Sequence, residues 1–293
     1  MTTASWSTPI DQTTDAGFRT WGLELNGKFS AVGLIQTADT GQINWTTVTR
    51  AAAGNNAAGY EIWKLSDSSL FFKIEYGSGA AQTNPALWIT VGTGSNGSGT
   101  ITGQSAARRQ TGGADTVNNT ATAVPSYLCA TTAFFGLAFK VGQSTTVGVP
   151  SSLWAVGKTV DATGTPTTIG YYRLGRQGTT TSVQAVLQSV RLAATAATEV
   201  DSTNYCVFVG TPTNSSDGTN NQVYLHMLNV PGVQPALYTG TVISSEVSQG
   251  TTISVTLVGS TPHTYICVCS GTFPLFDAGS TSIPKLAMIM LWE

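Results

Sequence analysis

A chain of 293 residues has room for one large β domain or two smaller ones. Only 10% of the residues are charged, 41% are hydrophobic, and the formal net charge is −2. Ordinary soluble domains carry roughly 25% charged residues, so Thr, Ser, Asn, Gln and Gly must supply this polar surface, and no basic field is present to hold nucleic acid.

The opening residues 1–14, MTTASWSTPIDQTT, read as an extended, weakly structured segment. They lack the basic region and apolar run of a secretory signal. No apolar stretch of the chain approaches the roughly 20 residues of a membrane span. The expectation is cytoplasmic synthesis with no membrane span.

A helix is predicted over residues 15–33. Thr13 or Thr14 can cap it, and Asp15 sits in the first turn, where the helix dipole favours negative charge. Phe18, Trp21, Leu25, Phe29 and Val32 recur at steps of three and four and make one apolar stripe. Gly33 is placed to end the helix in a left-handed turn. Gly17, Gly22 and Gly27 each weaken it by about 1 kcal/mol relative to alanine, so the helix needs a partner surface, either its own sheet or another subunit.

A polar turn, TADTGQINW at 37–45, leads into a series of short strands. In FFKIEY, Phe72, Ile74 and Tyr76 fall on one side. In LWITV, Leu87, Ile89 and Val91 share a face opposite Trp88 and Thr90. This period of two marks a half-buried antiparallel sheet. Strands are predicted at Tyr60–Leu65, Leu70–Tyr76, Leu87–Val91, Tyr127–Thr132, Phe134–Val141, Leu153–Val160 and Thr168–Leu174. The series continues at Val186–Leu192, Tyr205–Val209, Val223–Leu228, Thr252–Val258, Tyr265–Val268 and Lys285–Trp292. Short strands punctuated by Gly, Pro, Asn and Ser argue for an all-β fold, an antiparallel β-sandwich or elaborated barrel with one N-terminal amphipathic helix. Residues 15–293 are read as one β-rich domain. Residues 104–123 lack apolar periodicity and mark either an excursion from that domain or a subdivision of it.

The motifs that could carry chemistry are weak. GTGSNG at 92–97 matches G-x-G-x-x-G but runs into SGTITG instead of a helix, which favours a glycine-rich hairpin edge over a dinucleotide site. His263, Tyr265, Cys267 and Cys269 share parity, yet same-face positions on a strand splay about 7 Å apart and do not converge on a metal. Four cysteines in so long a chain make no disulfide framework, so free thiols are expected. No G-x-S-x-G elbow is present, and no carboxylate pair stands out. Asn44, Asn96, Asn118 and Asn214 begin N-x-[ST] triplets, read as chance matches without a secretory route. Arg108-Arg109, the only adjacent basic pair, reads as an exposed loop. No metal, cofactor or enzyme activity is expected.

Several blocks resemble a family of tailed-bacteriophage virion structural proteins. They are DAGFRTWGLELNGKFSAVGLIQTADTGQINW, GYEIWKL, FFKIEYGSG, NPALWITVGTGSNGSGT and the closing LAMIMLWE. The resemblance implies a virion component, associated with the tail or baseplate, made in the cytoplasm of the bacterial host and present in many copies, with a fibre or the host surface as a further contact. A capsid decoration protein and a module binding host surface glycan are the alternatives. No catalytic residues come with the family. Tails impose threefold or sixfold axes, so a trimer or hexamer is expected, docked on other virion proteins. The docking residues expected are Trp6, Pro9 and Ile10 of a loose N-terminal segment, and Trp292. The segment 92–103 and the closing strand 285–292 are expected as weakly charged edges.

Overall fold

The apolar stripe and the capping residues predicted for the helix produce α1, Asp15–Ala31. Thr14 is the N-cap, its side chain accepting from the Gly17 amide at 2.9 Å. Gly33 has φ +88 just past the helix, and its amide donates to the Ser30 carbonyl. Phe18, Trp21, Leu25, Phe29 and Val32 are all buried. Their partner is the chain's own sheet structure.

The computed structural model describes residues 2–8, 10–103, 109–112, 123, 125–132, 134–139, 152–160, 166–175, 188–192, 197–200, 205–210, 222–227, 239–243, 248–255, 262–270 and 286–292. The strands are β1 (Thr2–Trp6), β2 (Ile35–Gln36), β3 (Asn56–Lys64), β4 (Phe71–Ser78), β5 (Pro85–Gly92), β6 (Gly94–Ser95), β7 (Ile101–Thr102) and β8 (Arg109–Gly112). They continue with β9 (Ser126–Ala130), β10 (Phe134–Phe139), β11 (Ser152–Val160), β12 (Pro166–Gly175), β13 (Gln188–Leu192) and β14 (Ala197–Val200). The last are β15 (Tyr205–Gly210), β16 (Gln222–Met227), β17 (Thr239–Ile243), β18 (Thr252–Val255), β19 (His263–Ser270) and β20 (Leu286–Leu291).

The chain is mostly antiparallel β-sheet with one helix among the described residues. Seven strands run β1-β9-β10-β11-β12-β13-β14, six run β15-β16-β17-β20-β19-β18, five run β2-β3-β4-β5-β8, and β6 pairs with β7 alone. Each predicted strand overlaps an observed one. The strands not predicted are β1, β2, β8, β14 and β17, all of five residues or fewer. Among the described residues no helix is long and apolar enough to cross a membrane.

Register sets the faces. Phe72 lies opposite Val91, Ile74 opposite Ile89 and Tyr76 opposite Leu87, so these six side chains share one face. α1 lies on that face: Trp21 meets Tyr76 edge-on at 5.9 Å between ring centroids, and Phe29 meets Trp63 and Phe72. The same core takes in Phe135 of β10, stacked on Phe72 with centroids 4.7 Å apart. β9 and β10 are buried on both sides. On their opposite side the Cys129 thiol donates to the Leu291 carbonyl at 2.8 Å, and a side chain at Gly136 would run into the Met290 sulfur.

Three expectations are corrected. The half-buried alternation holds on β4, where Lys73 and Glu75 of the outer face are partly exposed, but not on β5, where Trp88 and Thr90 on the outer face are buried too. β7 of the 92–103 hairpin approaches β4 and β5. The described residues of the segment 1–14 are not loose: β1 pairs with β9 over five residues, Thr2 opposite Ala130 through Trp6 opposite Ser126. The rest of the segment is fixed by Ile10, which joins the core, and by Gln12, whose Nε2 donates to the Gly77 carbonyl and Ser78 Oγ. The closing strand β20 is no edge; it lies between β17 and β19. The hairpin expected at 92–103 is present as β6–β7. Within 104–123, Arg109–Gly112 form a strand on β5, and of the other residues only Ala123 is described.

Two glycines of α1 separate backbone cost from packing need. The Trp45 ring lies against Gly22 where a β-carbon would stand, whereas the space at Gly27 is open. Gly22→Ala is therefore expected to lose about 1–3 kcal/mol by overpacking. Gly27→Ala should gain up to about 1 kcal/mol through helix propensity. Urea melts of the two variants check this; equal shifts in both would contradict the packing argument.

Candidate functional site

The acids of the chain were expected to carry no chemistry, and the structure shows what two of them do. Glu61 lies on β3 with Trp63 on the same face, turned inward under α1. It is fully buried. Its Oε1 accepts from Asn26 Nδ2 at 2.6 Å and Trp45 Nε1 at 2.8 Å. Its Oε2 accepts from the Tyr76 hydroxyl at 2.6 Å and Trp63 Nε1 at 3.2 Å. Four donors and no acceptor converge, a set that a carboxylate satisfies with its lone pairs. Burial, then the nearby Glu61 charge and hydrogen bond, push the Tyr76 hydroxyl well above the ordinary tyrosine pKa. The cluster joins α1, the 37–48 loop, β3 and β4. Alternation in GYEIWKL does place Glu61 with Trp63 and Leu65, so the signal was present. The identity of the donors was not.

Asp39 is a second buried acid. It accepts from Thr37 Oγ1 at 2.6 Å, from Ser95 Oγ and from the Gly99 amide at 3.0 Å. Burial pushes its carboxyl up, but these donors outweigh burial and hold its pKa below the ordinary value. The result ties the polar turn at 37–42 to the β6–β7 hairpin. Tyr60 adds a bond from its hydroxyl to the Thr40 carbonyl at 2.6 Å, and Lys73 Nζ stands 4.3 Å from its ring centroid. Both acids therefore act as internal fasteners with their acceptor capacity occupied by this chain.

The expected docking residues are divided. Trp6 is partly buried against the core, with Lys28 Nζ 6.0 Å from its ring centroid. Ile10 is a core residue and offers nothing to a neighbour. Pro9 lies outside the described residues. Trp292 is partly buried, packs edge-on against Tyr127 at 6.1 Å, and donates its amide to the Thr264 carbonyl at 2.9 Å. Trp6 and Tyr127 sit at the same end of the β1–β9 pair, since Trp6 faces Ser126 in register. Their side chains leave opposite faces of the sheet, so Trp6 and Trp292 do not form one patch.

HTYICVC forms β19, but the register slips between Cys267 and Cys269. His263, Tyr265 and Cys267 keep the predicted alternation in regular register, and the slip falls beyond them. Among the described residues no three His, Cys, Asp or Glu side chains gather as metal ligands. Cys129 and Cys267 are buried and lie outside any disulfide, and burial pushes the Cys129 thiol up in pKa. The side chains of Cys206 and Cys269 lie outside the described residues.

Outer strands of the sheets offer backbone for recognition. β1 is an outer strand of the seven-stranded sheet, and β18 is an outer strand of the six-stranded sheet. Neither carries a charged residue. Natural edges are ordinarily guarded by charge, proline, a bulge or brevity. Comparison with protein-family models, curated proteins and solved structures returned no match.

Proposed function

We propose that this chain is a non-enzymatic structural component of a tailed-phage virion, associated with the tail or baseplate and present in many copies. The observation that carries the reading is the pairing of a charge-poor composition with the uncharged outer strand β1. A protein that lives dispersed normally protects such an edge, and one that lives packed against neighbours does not need to. The buried acids support the same reading, because their donors leave no acid of either cluster facing a substrate. The resemblance of the opening hundred residues and the closing LAMIMLWE to phage virion structural proteins supplies the setting. Contacts on both faces of β9 and β10 support a layered sandwich over a closed barrel as the architecture.

The test is proteomic. Particles are purified, heads and tails are separated, and each fraction is examined by mass spectrometry. The chain is expected in the tail fraction at many copies per particle. Recovery with heads would replace this reading by capsid decoration. Absence from both, with binding on a glycan array, would replace it by host-glycan adhesion.

A further inference from the structure

We infer that β1 pairs with β1 of a second copy of this chain, antiparallel about a twofold axis through Ala4. The inference rests on the multi-copy reading and names the contact within it.

The outer edge of β1 has what such a pair requires. Five residues, Thr2–Trp6, follow β9 in unbroken register, without bulge or proline. Alternate residues of an edge strand turn their N–H and C=O groups away from the sheet. Among the described residues no strand takes up those groups. The side chains at this edge are exposed or partly exposed, and none is charged.

Geometry selects both the partner and the register. Outward-turned groups recur at every second residue, so only positions of like parity can face each other across the new seam. The register that overlaps all five residues sets Ala4 opposite Ala4, Thr3 opposite Ser5 and Thr2 opposite Trp6. Small hydroxyl side chains meet on one face, the Thr–Ser pairing that stabilises antiparallel ladders. On the other face the partner's Thr2 reaches the partly exposed Trp6. The strand is thus complementary to itself, which is the condition for an isologous contact. The remaining edges fit less well. β2, β6 and β7 are two residues long, β8 opens with Arg109, β14 carries Glu199, and β15 is irregular, its register against β16 slipping between Phe208 and Gly210. β18 has four residues, of which a like-parity register pairs at most three.

The experiment uses the full chain and sedimentation velocity over a concentration series. The wild type is expected to form a concentration-dependent dimer or an even-numbered oligomer. Thr3→Lys with Ser5→Lys places like charges opposite each other twice in the seam and should raise the dissociation constant about tenfold or more. Both positions are exposed, so melting curves recorded at concentrations where the wild type is monomeric should coincide. Mixing this variant with Thr3→Glu/Ser5→Glu should restore a mixed dimer. As a register test independent of charge, oxidised Ala4→Cys should cross-link to its own copy, while Thr2→Cys and the wild type should not. A wild type that stays monomeric at every concentration overturns the inference. So does an oligomer that the lysine pair leaves intact, or one that Thr2→Cys links as well as Ala4→Cys does. Virion membership is decided by the particle proteomics and can stand or fall separately.

Discussion

Replacing Glu61 with alanine is expected to destabilise the fold by about 3–5 kcal/mol, as removing one side of a buried charged network does. Four donors would lose their acceptor together: the buried Trp45 Nε1, Trp63 Nε1 and Tyr76 hydroxyl, and the partly buried Asn26 Nδ2. The loss is smaller than four separate penalties, because alanine also removes a carboxylate buried with no cation among its hydrogen-bond partners. Glu61→Gln separates the contributions. Its carbonyl keeps two donors, and its amide must face the other two. The Tyr76 hydroxyl can turn, or the Asn26 amide can flip, to accept, whereas neither indole N–H can. One donor-to-donor contact with an indole therefore remains, with Trp63 or Trp45, and the cost falls to about 1–2 kcal/mol. Denaturant midpoints of the two variants test the order. An alanine variant within about 1 kcal/mol of the wild type would show that the cluster fastens nothing.

Phe135→Ala is expected to cost about 3–5 kcal/mol. This ring stacks on Phe72 at 4.7 Å with an interplanar angle of 8° and meets Phe29 edge-on at 5.6 Å. It is fully buried on β10, and it joins the seven-stranded sheet to α1 and the five-stranded sheet. Removing it leaves a cavity where the two bodies of sheet meet, and each lost ring contact adds about 0.5–1.5 kcal/mol beyond the buried area. Because the core is continuous across that contact, the variant should still melt in one transition at a lower denaturant midpoint. Two resolved transitions would instead show that the helix-bearing part and the rest fold as separate units. A midpoint shift worth less than about 1 kcal/mol would show that the Phe72–Phe135 stack contributes little.

The sequence alone determined what is set by near neighbours in the chain. The stripe from Phe18 to Val32, the Thr14 cap and Gly33 define α1, because helix faces and ends depend on residues three or four apart. Turn residues punctuating short apolar runs located the predicted strands, and alternation assigned the inner faces of β4 and β5. Only the tertiary structure decided which strands meet. β1 joins β9 from more than a hundred residues away, and β20 settles inside its sheet. That inversion of edges turned the expected loose arm into a paired strand and removed Ile10 from the docking residues. It also explains Gly22, which reads locally as a weak point of the helix and in space as the seat of the Trp45 ring. Glu61 is the same case in electrostatic form: its inward parity is local, while two of its four donors, Asn26 and Trp45, arrive from the helix and a loop. The physical reason is that backbone periodicity acts over a few residues. Partner choice depends on matching apolar faces and closing hydrogen bonds between segments that the chain brings together only on folding.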